Sequence, residues 1–168
     1  VSRPGTLITD VGSVKTSICD VVGNSNLPNG VTFVGSHPLA GSEKTGFEAA
    51  RADLFVGRVT VVTPRSATDD AACLAVRRFW EQLGSRVVEM SPEDHDVALA
   101  TTSHLPHVAA SALAATLPEA FQPLAASGFR DSTRIAAGDP DLWVAILLEN
   151  AAAVGVSIAA FSEAFRKF

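Results

Sequence analysis

Four short runs rich in β-branched residues, each followed by a helical pattern, give way to a long stretch with no strand pattern. The runs are "TLITD" (6–10), "VTFVG" (31–35), "RVTVVT" (58–63) and "RVVEM" (86–90). Strands that alternate with helices require crossover connections, which predicts a mostly parallel sheet with helices on its faces. After "MSPEDHD" the apolar spacing is helical to the end of the chain. The switch therefore predicts two domains, α/β over 1–91 and all-α over 92–168.

Local signals place the elements. Ser13 is positioned to cap a helix over "VKTSICDVV" that Gly23 ends, and a short helix is expected around "FEAARADLF". Thr68 is the expected cap of "TDDAACLAVRRFWEQLG", with Gly84 past its end. In the second half Ser91 caps, Pro92 takes the first helical position, and Glu93 and Asp94 suit the positive end of the helix dipole. "VALATTSHLPHVAASALAATL" reads as helix with a kink at Pro106. "GDPDLW" repeats the start signal with Asp139 and Pro140, and one long helix is expected from there to the C-terminus. Its apolar residues, among them Trp143, Ile146, Val154, Ile158, Phe161 and Phe165, run nearly all the way round. Such a helix needs neighbours on several sides, some of them expected from a second subunit in a homodimer.

Composition narrows the function classes. The 168 residues are 47% hydrophobic and 18% charged, so a large core is expected and disorder is not. A net charge of −5 gives no reason to expect nucleic acid or an anionic membrane as partner. The most apolar stretch, "LWVAILLENAAAVGVSIAAF", is interrupted by Glu149 and Asn150 and falls short of a membrane span. No signal-peptide layout opens the chain, and a cytoplasmic protein is expected. Cys19 and Cys73 lie in apolar helical patterns and read as buried free thiols in a reducing compartment. The chain begins at Val1 and reaches a strand within six residues, as a piece of a longer sequence would.

Four polar clusters interrupt the apolar pattern. "DVGSVK" (10–15) follows a strand, where Gly12 permits a tight turn and Ser13 opens a helix; strand ends in such sheets are ligand sites. A capped turn is the plainer reading. "VGSHPLAGSEKTG" (34–46) also follows a strand, which would bring His37 to the same sheet edge as Ser13. A histidine suits proton abstraction near neutral pH, although one satisfied within a turn has the same signature. "TSHLPH" (102–107) sets His104 and His107 one helical turn apart. With His95 and Asp96 nearby, a metal-dependent hydrolase is one reading, but no Glu-x-x-His pattern supports it and no metal is expected. In "GFRDSTRIAAGDPDLW" (128–143), Arg130 and Arg134 are spaced i,i+4, and the apolar flanks predict that at least one guanidinium enters a pocket, where its planar fork suits a carboxylate.

Taken together and in this order, "DVGSVK", "HPLAGSEKTG", "SHLPH" and "GFRDSTRIAAGDPDLW" resemble the prephenate/arogenate dehydrogenase family. The resemblance implies the C-terminal part of a Rossmann-like nucleotide-binding domain followed by a helical dimerisation domain. It implies oxidation of prephenate to 4-hydroxyphenylpyruvate, or of arogenate to tyrosine, with NAD or NADP and loss of carbon dioxide. In that likeness His37 matches the base that takes the ring-hydroxyl proton, and Ser13 matches the serine that hydrogen-bonds it beside the nicotinamide. Val11, Gly12 and Ser13 would meet the cofactor. Arg134 matches the arginine that holds a substrate carboxylate. Ser103, His107 and Glu43 match polar residues of the substrate pocket, and Trp143 an aromatic residue near it; His95 and His104 match without a defined role. Arg58 stands where an acidic residue would favour arogenate, which leans toward prephenate.

One feature departs from the likeness. The family's G-x-G-x-x-G turn, which cradles the dinucleotide pyrophosphate, has no counterpart among the twelve glycines. A piece without that turn is expected to be inactive by itself. The missing turn also keeps open a non-catalytic dimeric module that binds an aromatic acid. With no regulatory domain after Phe168, inhibition by tyrosine, where it occurs, is expected at the active site.

Overall fold

The computed structural model describes residues 3–41, 46–65 and 68–168. The chain divides into two compact units, Val1–Asp96 and Val97–Phe168.

In the first unit, β1 (Leu7–Ile8) leads through a turn to α1 (Thr16–Gly23), and β2 (Thr32–Phe33) returns parallel to β1. The chain then runs on into β3 (Gly35–Pro38), which pairs antiparallel with β4 (Val59–Thr63). β4 in turn pairs parallel with β5 (Arg86–Glu89) across α2 (Asp70–Gln82). The run "VTFVG" is thus not one strand. It is broken at Val34, whose N–H still bonds the Ile8 carbonyl at 3.0 Å, while the residues beyond it pair with β4. His37 consequently lies within a strand opposite Val61, not in a loop after one.

Gly35 makes this change of partner possible. A Cβ there would lie 2.5 Å from Thr63 Oγ1 and 2.9 Å from Cys19 Sγ. On the sheet, Val34 and Val62 pack against Ala72, Val76 and Trp80, the i,i+4 stripe of α2. Asp69, not Thr68, caps α2, accepting from the Ala72 N–H at 3.2 Å. Gly84, at φ +85°, turns the chain out of it. The expected helix around "FEAARADLF" is only a 3-10 turn, Phe47–Ala49, followed by further turns. Arg51 and Asp53 form a two-bond ion pair at i,i+2, a spacing that faces across a turn and not along a helix.

In the second half, α3 (Pro92–Leu99) and α4 (Leu105–Ala115) are joined by a π-helical turn, Ala100–His104. Pro106 has no N–H to give and its ring crowds the preceding turn, and the helix widens into the π turn ahead of it. The Leu105 N–H reaches back five residues to the Ala100 carbonyl. Ser91 does cap α3, accepting from the Asp94 N–H at 3.0 Å. After 3-10 turn Glu119–Leu124 come α5 (Ser127–Thr133), a second 3-10 turn (Arg134–Ala137), α6 (Pro140–Glu149) and α7 (Ala151–Arg166). Asp139 caps α6 through the Asp141 N–H at 2.9 Å. The expected single C-terminal helix is two, bent by 94° at Asn150. Asn150 is buried, and its amide lies 3.2 Å from His104 Nδ1, an anchor that takes it out of the helical line. No single described helix is long and apolar enough to cross a membrane. Cys19 is buried and Cys73 half-buried, both as free thiols.

The crowding at Gly35 makes a definite prediction. Gly35→Ala should lower the unfolding free energy by about 1–3 kcal/mol, the usual cost of overpacking. A urea midpoint equal to that of the parent chain would contradict this packing.

Candidate active site

The loop after β1 is held by ionic and hydrogen bonds to the strand that carries His37. Asp10 accepts the N–H groups of Gly12 and Ser36, each at 2.9 Å. Lys15, at the start of α1, is wholly buried; its ammonium pairs with the Asp10 carboxylate and donates to the Ser36 carbonyl at 3.0 Å. A buried ammonium is tolerated only when paired and hydrogen-bonded, and Lys15 has both. The Ser36 hydroxyl donates to the Asp10 carbonyl at 2.6 Å, with Trp80 Nε1 donating to it at 3.1 Å and Thr9 Oγ1 at 2.8 Å. Both the peptide groups and the side chain of Ser36 are thereby fixed, and His37 is the next residue.

The His37 ring is half-buried and meets a second histidine. His37 Nδ1 lies 2.9 Å from His95 Nε2, with the rings edge to face. His95 is fully buried, and its Nδ1 lies 2.8 Å from Asp96 Oδ1. The Asp96 carboxylate also accepts the Lys15 N–H at 2.8 Å and the Thr16 N–H at 2.9 Å. It therefore caps α1 from 80 residues away, in the role that Ser13 was expected to fill. A carboxylate that satisfies two orphan N–H groups at the positive end of a helix is a stronger cap than a serine hydroxyl. Burial raises the Asp96 pKa, but hydrogen bonds from His95 and from the starts of Thr16 and Lys15 outweigh it and bring it down to about 2.

The remaining first-unit residues lie at the same turn. Val11 is exposed, and Gly12 and Ser13 are half-buried. A Cβ on Gly12 would stand 2.4 Å from Ile18 Cδ1 and 3.0 Å from Asp10 Oδ2, so a side chain there would press on both. Glu43 lies outside the described residues.

The second unit holds a separate aromatic cluster. His107 stacks on Trp143, with ring centroids 3.6 Å apart and planes 7° from parallel, and His104 meets the same indole edge-on. Gly138 lets the indole approach; a Cβ there would fall 2.5 Å from Trp143 Nε1. His107 Nδ1 is buried with no hydrogen-bond partner of good geometry among the described residues. Burial pushes its pKa down, with the nearby Ile135 carbonyl partly opposing. Ser103 is half-buried on the π turn. Arg130 and Arg134 are both exposed, contrary to the expectation that one enters a pocket. Helix α5 ends at Thr133 and tightens at Arg134, so the two do not share a continuous helical face. Among the described residues, no three His, Cys, Asp or Glu side chains converge as a metal site.

Lys15, Ser36 and Asn150 were not singled out as site residues from the sequence. Lys15 carried a signal, as the lone cation at the head of an apolar helix. Asp96 reads from the sequence only as a possible metal ligand, because the N–H groups it accepts from, on Lys15 and Thr16, are distant in sequence.

Two domain families match the chain. The prephenate dehydrogenase nucleotide-binding domain covers residues 2–89, and the prephenate dehydrogenase dimerization domain covers residues 91–168. The chain is 43% identical over 155 residues to the cyclohexadienyl dehydrogenase of Zymomonas mobilis, covering 88% of this chain and 52% of that protein. It is 42% identical over 150 residues to the prephenate dehydrogenase of Bacillus subtilis, covering 86% and 40%. The chain thus spans about half the length of the curated relatives it matches. Among solved structures, the prephenate dehydrogenase of A. aeolicus in complex with hydroxyphenyl propionate and NAD+ superposes with a TM-score of 0.81 at 38% identity, covering 95% of this chain and 57% of that one. The Synechocystis arogenate dehydrogenase gives 0.82 at 33% identity, covering 98% and 61%.

Asp96 carries a pH dependence whose sign follows from its lowered pKa. Its stabilisation is complete above the ordinary value of 3.8 and is lost as pH falls from there through about 2. Nearly two units correspond to about 2 kcal/mol. Asp96→Asn should lack that loss of stability between the ordinary value and about 2 in chemical denaturation, and identical acid limbs in variant and parent would contradict the assignment.

Proposed function

The chain belongs to the prephenate dehydrogenase family, and we propose that the protein oxidises prephenate to 4-hydroxyphenylpyruvate and carbon dioxide with a nicotinamide dinucleotide. The observation that carries this reading is the His37 imidazole, tied through Nδ1 to His95 and seated beside the clamped Ser36. A histidine held so firmly is equipped to act as a base. His37 takes the proton from the ring hydroxyl as that carbon becomes a carbonyl. Loss of the ring carboxylate as carbon dioxide then restores aromaticity and drives the reaction. The protein's own task is to hold two reactants and one base in register.

The turn after β1 suits the nicotinamide end of the cofactor. Exposed Val11 offers an apolar surface, with half-buried Gly12 and Ser13 beside it. Two of the N–H groups that open α1, those of Lys15 and Thr16, are taken by Asp96 and are not open to a phosphate. When bound, the dinucleotide supplies the hydride acceptor; NAD is favoured by the likeness to the A. aeolicus complex, with NADP the other candidate. Arg134 is the proposed carboxylate ligand, with Ser103, His107, Trp143 and Glu43 around the substrate. Arg58, exposed just before β4, offers nothing to the ammonium of arogenate and favours prephenate. The homodimer forms through the helical unit, where Leu142, Leu148, Val156, Phe161 and Phe165 are left exposed.

His37→Asn should cut turnover by on the order of 10²–10⁴-fold with substrate binding largely intact; near-normal turnover would remove His37 from the role of base. Arg134→Ala should act mainly on KM, at about 2–5 kcal/mol of lost binding, and an unchanged KM would shift the carboxylate contact to Arg130. Light scattering should report a dimer at micromolar concentration, and a monomer would contradict the proposed interface.

A further inference from the structure

We propose that His95 and Asp96 are positioning residues that set the tautomer of His37, so that its Nδ1 carries the proton and its Nε2 is the basic nitrogen. The proposal rests on the reading of His37 as the base, and it assigns His95 and Asp96 a function that does not involve metal.

The direction of the chain follows from its anchored end. Asp96 is an ionised carboxylate and accepts only. It is held by the Lys15 and Thr16 N–H groups, which fix its position against the sheet. The His95 Nδ1, 2.8 Å from Asp96 Oδ1, must therefore donate. A neutral imidazole that donates from one nitrogen accepts at the other, so His95 Nε2 is an acceptor. His37 Nδ1, 2.9 Å away, must then donate to it. The proton of His37 is thus on Nδ1 and the lone pair on Nε2. When His37 takes a proton from substrate, it enters at Nε2; Nδ1–H keeps its bond to His95, and no proton leaves the chain of groups. The imidazolium formed is stabilised by an acceptor already in place, with no rotation of either ring. A reversed order would turn the bare His95 Nδ1 toward the Asp96 carboxylate, two acceptors 2.8 Å apart.

The arrangement also accounts for burying a histidine completely at residue 95 and for spending an acidic side chain on the distant α1. A simple helix cap requires Asp96 alone. The His95 ring between cap and base is unexplained by capping.

The test reads the proton positions directly. Long-range ¹H–¹⁵N spectra of the chain, which has four histidines, separate protonated from bare ring nitrogens. At neutral pH His37 and His95 should both appear as the Nδ1–H tautomer. His37 protonated on Nε2, or His95 protonated on both nitrogens, would overturn the proposal, whatever the outcome of the His37→Asn assay. Kinetics of the enzyme give a second readout. His95→Ala should lower kcat by about 10–100-fold, less than loss of the base itself, with KM changed under about twofold. His95→Gln, whose Oε1 can accept from His37, should recover most of that loss. Equal kcat in the parent and both variants would refute the positioning role, as would equal losses in Ala and Gln variants that remain folded by circular dichroism.

Discussion

Everything in the first unit turns on a lysine with no access to water. Lys15 is charged, buried and tied to the Asp10 carboxylate and the Ser36 carbonyl. Removing either partner would strand the other in a medium that solvates ions poorly, at a cost of about 3–5 kcal/mol. The pair therefore locks the loop after β1, the head of α1 and strand β3 as one body. The rigidity is local and falls beside His37, the proposed base. Asp96 closes the same body from the other side by capping α1 while holding His95. Thus one helix start is used twice, with its side chain fixing the strand and its peptide groups fixing the carboxylate behind the histidines.

The helical unit solves a different problem. Pro106 cannot continue a regular helix, and the π turn ahead of it presents Ser103 and His104 from a widened backbone, with His107 on α4 just after it. Asn150 binds His104 and breaks the C-terminal helix, which leaves α6 free to bring Trp143 against His107. The polar residues here are thus structural anchors as well as candidate substrate contacts.

Much of this was legible in the sequence, for identifiable reasons. Strand–helix alternation, the Ser91–Pro92 and Asp139–Pro140 starts and the glycine after α2 are local signals, written within a few residues of their effect. What escaped were effects of distant partners. "VTFVG" has the composition of one strand, and nothing within it says that its second half will pair with a strand near residue 60. The Asp96 cap links residues 80 apart, so Ser13 looked like the cap because it was the nearest candidate. Asn150 stood out as a polar interruption, but only His104 explains the bend. Arg130 and Arg134 were read by helical spacing, which fails where the helix tightens into a 3-10 turn. The family likeness pointed to His37 on its motif alone; the ring that holds His37 came from the fold.

The central claim is that His37 works as a neutral imidazole that accepts a proton during prephenate oxidation. The dependence of kcat/KM on pH tests it most directly, measured for the parent enzyme and for His37→Gln. In the parent kcat/KM should rise with pH through one ionisation and then level, because the base must first lose its proton. The residual activity of the variant should lack that rise. The same rise persisting in the variant would show that another group accepts the proton, and His37 would not be the base.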